Sequence, residues 1–319
     1  MHVLVTGATG FVGKAVVDRL CRDGALAVRG AVRSVNTSAR TLNCEFVPVG
    51  DIGASTDWSR ALEHVDVVVH LAARAHVLQE GVADPLAEFR RVNVDGALSL
   101  ARQSIANGVK RFIFISSIGV NGGFTSGQAF TENSPEAPHA DYAQSKQEAE
   151  RALKTLAEGS GMELVVIRPP LVYAANAPGN FRRLLKLVAS GLPMPFGSVN
   201  NRRTMVALPN LVDFINACIQ HPAAANETFL VSDSQSISTG EMARLLSQGM
   251  GKTTMLLPVP DALMKWTAKL AGKSNLYVQL CCSLEVDNAK ARRLLNWQPP
   301  LTAQAALVQV GSQYKTQPR

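Results

Sequence analysis

The stretch His2-Val3-Leu4-Val5-Thr6-Gly7-Ala8-Thr9-Gly10-Phe11-Val12-Gly13 decides how this chain folds. A short apolar run enters a turn with glycines at 7, 10 and 13. Gly7 lets the chain turn sharply out of a strand. Gly10 removes a side chain where backbone N–H groups would approach a pyrophosphate, and Gly13 permits close helix–strand packing. Beyond the turn, Lys14 to Arg22 continues a helical stripe of Val12, Val16, Val17 and Leu20, which stops at Gly24. The helix N-terminus then directs its partial positive charge at the phosphates. Strand, glycine turn and amphipathic helix together predict a nucleotide cradle.

The same alternation continues outward. Strands are expected at 2–6, 27–32, 45–49, 66–71, 111–116 and 163–167, with helices over 85–106 and 143–157. Nearly continuous apolar strands alternating with helices mean a parallel sheet covered on both faces. The fold class is α/β, a Rossmann-type doubly wound parallel sheet with a smaller C-terminal substrate lobe. Residues 1–168 are assigned to the nucleotide-binding domain, with 204–234 rejoining it through a strand at 228–231. Residues 169–203 and 235–319 are assigned to the substrate lobe. There, helices are expected over 179–190, 209–220, 238–249 and 288–295, a strand over 204–208, and a loop at Pro258 and Pro260.

Composition bounds the alternatives. A chain of 319 residues holds one large domain or two coupled ones around a buried core. No apolar run approaches the ~18 residues of a membrane span. The first residues enter a strand directly, without the features of a signal peptide. Five cysteines, an odd number, fit neither a zinc site nor a disulfide framework. A cytoplasmic protein without a metal site is therefore expected. The net charge of +7 suits an anionic ligand or a membrane surface, but a mildly basic solvated surface is the better explanation of the excess alone. No basic stripe interleaved with aromatics indicates a nucleic acid partner.

Tyr142 and Lys146 stand four residues apart, so on a helix they share a face. A nearby ammonium favours the phenolate and draws a tyrosine from its usual pKa of ~10 toward acid/base strength near neutrality. Ser116 and Ser117 end the apolar run Phe112-Ile113-Phe114-Ile115, where a parallel sheet borders its ligand crevice. A hydroxyl there can bond a substrate carbonyl or carbinol.

Gly7, Gly10 and Gly13, then Asp51-Ile52, His70-Leu71-Ala72-Ala73, Asn93, Ser117, Tyr142 and Lys146, match the extended short-chain dehydrogenase/reductase family in order and spacing. Leu294-Leu295-Asn296-Trp297-Gln298-Pro299 resembles that family's closing motif. The resemblance implies an NAD(P)-dependent nucleotide-sugar oxidoreductase or epimerase. It makes Tyr142 the acid/base, lets Ser117 orient the reacting oxygen, and sets Lys146 on the nicotinamide ribose. Asp51 and Ile52 would contact the adenine. Thr9, Phe11, Val12, Leu71, Ala72, Ala73, Asn93, Pro169 and Val172 complete the implied cofactor set. Asn180 and Arg203 match substrate positions, with Arg203 on the diphosphate of a UDP-sugar. A homodimer fits the family.

The second half resembles one bacterial branch more closely. Arg168-Pro169-Pro170-Leu171-Val172-Tyr173, Gly179-Asn180-Phe181, Asn201-Arg202-Arg203-Thr204 and Phe229-Leu230-Val231-Ser232-Asp233 look like reductases that make UDP-N-acetylquinovosamine for surface polysaccharide. Two departures, Ala174-Ala175 after Val-Tyr and Cys282-Ser283 before Leu284, fall in the substrate lobe. A dehydratase would need acids beside its serine. Here Ile118-Gly119-Val120-Asn121-Gly122 follows Ser117, and the nearest downstream acid is Glu132. The end of the second strand, Arg29 to Ser34, carries no acid for ribose hydroxyls. Arg33 and Ser34 suit a 2′-phosphate instead. NADP(H) is therefore favoured over NAD(H). The leading expectation is NADPH-dependent reduction of the 4-keto group of a UDP-4-keto-6-deoxy-N-acetylhexosamine. The alternative is an NAD-dependent UDP-sugar 4-epimerase. A non-catalytic NAD(P)-sensing module ranks third, because such relatives tend to lose the Tyr/Lys pair.

Overall fold

The structure, a computed structural model, describes residues 1–34, 44–75 and 84–316. The chain opens with β1 (His2–Thr6), α1 (Phe11–Leu20), β2 (Ala27–Val32), β3 (Cys44–Pro48), α2 (Ser59–Leu62) and β4 (Val67–His70). Next come α3 (Pro85–Arg90), a π-helical turn over Arg91–Asp95, α4 (Gly96–Ala106), β5 (Arg111–Ile115), α5 (Asp141–Ala157) and β6 (Glu163–Arg168). The second half holds β7 (Val172–Tyr173), α6 (Gly179–Ser190), β8 (Arg203–Thr204), β9 (Val206–Ala207), α7 (Leu208–Gln220) and β10 (Thr228–Leu230). It ends with β11 (Ser236–Ile237), α8 (Thr239–Met250), α9 (Asp261–Leu270), α10 (Ser274–Cys281), α11 (Ala289–Leu295) and α12 (Ala303–Thr316).

The main sheet has seven strands in the order β3-β2-β1-β4-β5-β6-β10, paired in parallel throughout. Strand order reverses between β1 and β4, so the ligand crevice opens there at the carboxyl ends. Alternate strand residues feed two cores. Val3, Val5, Val67, Val69 and Ile113 pack under α1 and α7, while Leu4, Val68, Phe112 and Phe114 pack under α4 and α5. Both faces are buried, which is why these strands read as unbroken apolar runs. Each such side chain contributes about 1.5–3 kcal/mol by its burial.

A third core builds the smaller lobe from α6, α8 and α12, around Phe181, Leu185, Leu246 and Leu307. Ser238 caps α8 by accepting the Glu241 backbone N–H at 3.1 Å, as its sequence suggested. The chain also returns to the first core. β10 pairs with β6, and Trp297 packs edge-on against Phe214 at 4.8 Å between centroids.

Three expectations differ. The single helix over 85–106 is interrupted by the π-turn, which places Asn93 fully inside. Gly96 follows because a Cβ there would lie 2.4 Å from the Ile52 side chain. The strand over 204–208 divides at Met205 into β8, paired with β11, and β9, paired with β7. Neither joins the main sheet, and the chain turns into α7 already at Leu208. Pro260 ends a loop as expected but also starts α9, and neither α9, α10 nor α12 was foreseen. Among the described residues no helix is long and apolar enough to cross a membrane. None of their His, Cys, Asp and Glu side chains form a group of three or more suited to a metal.

Candidate active site

The glycine turn is fixed by steric necessity. Gly7 has φ +66°, and a Cβ on it would lie 2.9 Å from the Ala72 backbone nitrogen. A Cβ on Gly13 would lie 2.0 Å from the Gly7 carbonyl oxygen. The first turn of α1 is thus pressed against the loop leaving β1. Gly10 precedes α1 without a side-chain cap, and its N–H donates to the Gly7 carbonyl at 2.9 Å. Backbone donors of α1 remain directed at the crevice.

That crevice is a cleft of about 1210 Å³. Gly7, Thr9 and Gly10 line it from the turn, Arg33 and Ser34 from the end of β2, Asp51 and Ile52 after β3, and Leu71, Ala72 and Ala73 after β4. Phe11, Val12 and Gly13 stand behind this wall in α1. Volume, glycine cradle and cationic lining fit an extended dinucleotide diphosphate. Lys14, Arg74 and Arg91 also line the cleft, and sequence reading missed them. They come from separate segments, and Arg74 had one signal only, its place directly after Ala72-Ala73. Arg33 does not stand alone: its Nε lies 3.0 Å from the Asp51 carboxylate, with both side chains largely exposed.

Asn93 is buried and uses its amide inside the protein. It accepts the Arg74 N–H at 2.8 Å and donates to the Arg74 carbonyl and to Ser145 Oγ, each at 3.0 Å. It ties the cleft wall after β4 to α5, a positioning part rather than an exposed ligand group. Pro169, buried after β6, accepts the Ile118 N–H at 3.0 Å through its carbonyl. Val172 packs partly buried against the first core.

Ser117 ends the β5 run and starts a 3₁₀ turn over Ile118–Val120, its Oγ accepting the Gly119 N–H at 3.1 Å. A Cβ on Gly119 would lie 3.3 Å from that Oγ and 3.1 Å from Ala143 Cβ. The serine turn therefore abuts the first turn of α5, which carries Tyr142. Phe89 meets the Tyr142 ring edge-on at 6.1 Å. Lys146, 1 % exposed, donates from Nζ to the Ile115 carbonyl at 2.8 Å and lies 4.5 Å over the Phe114 ring. Its Nζ is 6.0 Å from the Tyr142 ring centroid.

The sequence suggested that Lys146 draws the Tyr142 pKa down. In the structure burial dominates both. It pushes Tyr142 up to about 12. It pulls Lys146 down to about 7, against the raising effect of Glu150. Lys146 is buried and Tyr142 partly buried, and in these surroundings each charged form is costly. Nearby, His70 Nδ1 shares a 2.8 Å hydrogen bond with Thr6 Oγ1. Its Nε2 and Ser116 Oγ are buried without a hydrogen-bond partner.

A buried ionic cluster supports α5 from behind. Arg168, 2 % exposed, bonds Glu150 at 2.6 and 2.9 Å, Glu136 at 2.7 Å and Asn121 Oδ1 at 3.1 Å. It links β6, the Ser117 turn and the helix of Tyr142. Glu132, the downstream acid, accepts the Leu230 backbone N–H at 2.9 Å.

In the smaller lobe, Arg203 donates to the Cys282 carbonyl at 2.8 Å. Among the described residues no carboxylate lies within ion-pair distance of it, and burial pulls its pKa down. Arg202, by contrast, pairs with Glu285 at 2.7 Å on the surface. Asn180, exposed at the start of α6, donates to Gln279 of α10. The α10 segment thus holds both predicted substrate residues.

The model of the NAD dependent epimerase/dehydratase family matches residues 3–232. The chain belongs to this family. An epimerase/dehydratase chain with the Tyr142/Lys146 pair is an NAD(P)-dependent enzyme, which sets aside the sensing module. It is 46% identical to a UDP-glucose 4-epimerase of Vibrio cholerae, over 98% of this chain and 95% of the relative. An N-acetyl-alpha-D-glucosaminyl-diphospho-ditrans,octacis-undecaprenol 4-epimerase of Escherichia coli O157:H7 is 28% identical over 91% of this chain and 88% of its own. The fold matches a UDP-glucuronic acid 4-epimerase from Bacillus cereus, solved in complex with NAD. The TM-score is 0.79 at 20% identity, over 99% of this chain and 98% of that one.

Proposed function

We propose that the chain is an NAD-dependent UDP-sugar 4-epimerase, working in the cytoplasm. The observation that carries this reading is the 46% identity along nearly the whole of both chains to the Vibrio cholerae enzyme. The Arg33–Asp51 pair supports it, since a carboxylate beside that guanidinium disfavours a second anion such as a 2′-phosphate. When bound, NAD supplies a reversible hydride acceptor. The chain's own residues handle the proton and the orientation. Tyr142 first gives up its phenol proton to solvent, since burial favours the neutral form and only the phenolate can accept a proton. Lys146, when charged, supplies from the same helix face the positive potential that deprotonation needs. Tyr142 then takes the proton of the 4-hydroxyl and returns it after the sugar has turned. Ser117 bonds the same oxygen, and Arg203 holds the diphosphate.

One observation favours a second reading. Arg33 and Ser34 line the cleft at the end of β2, where no acid stands. This suits NADPH and reduction of a UDP-4-keto-6-deoxy-N-acetylhexosamine. The test incubates the protein with UDP-glucose and with UDP-N-acetylglucosamine, NAD present, and resolves the epimers chromatographically. Interconversion without net cofactor consumption is expected. Stoichiometric NADPH oxidation by a 4-keto sugar nucleotide, with no epimer formed, would establish the reductase instead.

A further inference from the structure

The segment from Met255 to Leu276 is unlike the rest of the surface. It carries six of the ten large apolar side chains exposed among the described residues: Met255, Leu257, Leu263, Trp266, Leu270 and Leu276. Neither α9 nor α10 has a fully buried residue. On α9, Met264 and Ala268, four apart, are the more covered positions, and Met264 packs against the core of the smaller lobe. Leu263, Trp266 and Leu270 fall at i, i+3 and i+7, one stripe on the outer side, and are 48, 60 and 69 % exposed.

Charge selects what covers this stripe. Between Lys252 and Leu284 the chain has four lysines, 252, 265, 269 and 273, and one acid, Asp261. That acid accepts the Tyr277 hydroxyl at 2.8 Å. Lys265 and Lys269 border the stripe along one edge of the helix, and Lys273 follows its end. An apolar stripe with a tryptophan, edged by lysines on a short helix, matches the physics of a helix lying in the plane of a membrane interface. A self-complementary contact would instead set these lysines against each other.

We infer that α9 is a membrane-surface anchor that docks the protein on anionic phospholipid. Trp266 and Leu270 enter the headgroup boundary and the lysines meet the lipid phosphates. At the far end of the same hairpin, Gln279 and the Cys282 carbonyl hold Asn180 and Arg203. Docking therefore sets the smaller lobe, rather than the nucleotide cleft, against the bilayer. The inference is independent of which sugar the enzyme takes.

The protein carries its own probe. Of its three tryptophans, Trp58 and Trp297 are buried and Trp266 is exposed. The full chain is mixed with vesicles of phosphatidylglycerol and phosphatidylcholine, or of phosphatidylcholine alone. Flotation, a blue shift of tryptophan emission and quenching by brominated lipid are recorded. Binding to the anionic vesicles that weakens with salt is expected, with little binding to the neutral ones. Replacing Lys265, Lys269 and Lys273 by Gln, or Leu263 and Trp266 by Ser, should lower vesicle partition by more than about tenfold. Unchanged melting curves and circular dichroism confirm that these surface variants fold. Wild-type protein that stays with the soluble fraction would overturn the proposal, as would variants that bind equally. A dimer in sedimentation velocity that Leu263→Ser with Trp266→Ser dissociates would overturn it in favour of a second copy.

Discussion

The two ends of the candidate site are built by different means. At the nucleotide end the backbone itself is the constraint: Gly7, Gly13 and Gly96 stand where an added Cβ would lie 2.0 to 2.9 Å from a neighbouring atom. At the substrate end single side chains do the work. Arg203, on the two-residue β8, and Asn180 both bond the segment of α10, a helix that buries nothing fully. Steric over-determination admits almost no change. A site made of side chains on a thin scaffold admits many, so substrate choice can vary over an unchanged nucleotide cradle.

The contrast is broken most severely at Gly13. Overpacking usually costs about 1–3 kcal/mol, and more when the neighbour is rigid backbone. Gly13→Val should leave no NAD binding detectable by calorimetry and lower the melting temperature by several degrees. Normal NAD affinity in that variant would mean the cradle yields as readily as the smaller lobe.

Between the two ends, Tyr142→Phe should reduce turnover by about 10²–10⁴-fold, the usual worth of a general acid or base. Cofactor affinity should stay within about threefold, a shift of under 1 kcal/mol. A turnover loss of less than about tenfold would remove Tyr142 from the proton path.

At the substrate end, loss of a charge-assisted contact costs ~1.5–3 kcal/mol. Arg203→Ala should therefore raise KM for the nucleotide sugar by about ten- to a hundredfold. Arg202→Ala, removing a guanidinium already paired with Glu285, should change it little. Equal effects would spread the diphosphate over both arginines.

Lys146 sharpens the comparison through pH. Burial holds it at about 7, whereas an exposed lysine titrates at about 10.4. Between these values the unfolded chain binds the extra proton, so stability rises with pH. Below about 7 both states are protonated and the cost of the buried charge is fully present. Lys146→Met should flatten the rise of melting temperature between about pH 7 and about pH 10, measured without cofactor. Parallel slopes for the two proteins would contradict the depressed value.

The smallest effect is expected at Arg33. Exposed pairs such as Arg33–Asp51 are worth ~0–1 kcal/mol. Arg33→Ala should leave NADH affinity within about threefold. A far larger loss of NADPH affinity would restore the reductase reading.

Sequence reading reached the first end more completely than the second, for physical reasons. Val3-Leu4-Val5 and Phe112-Ile113-Phe114-Ile115 are buried on both faces, so strand periodicity and burial give one pattern. The glycine turn is local, and three adjacent steric demands leave a mark in the chain. The π-turn leaves none, because Arg91 to Asp95 holds no glycine or proline to mark a break and its distortion answers to Asn93 and Ile52. Lys14, Arg74 and Arg91 converge from distant segments. α9 was hidden behind Pro258 and Pro260, and its outward apolar stripe lacks the inward partner that periodicity arguments assume. Ser117, Tyr142 and Lys146 were proposed from spacing and resemblance. Their pKa values were not, since burial is a property of the assembled site.

The Arg168 cluster has a bearing on how such a sequence changes over generations. Removing one member of a buried ion network costs about 3–5 kcal/mol, a large share of the ~5–15 kcal/mol that keeps a domain folded. Replacing the whole set by apolar residues of matching volume can cost nothing. The route between two viable states therefore crosses a fitness valley. Arg168, Glu150, Glu136 and Asn121 should drift as a block or stay as they are. Because the block braces both the Ser117 turn and the helix of Tyr142, a lineage that crossed that valley would arrive with a reshaped catalytic floor.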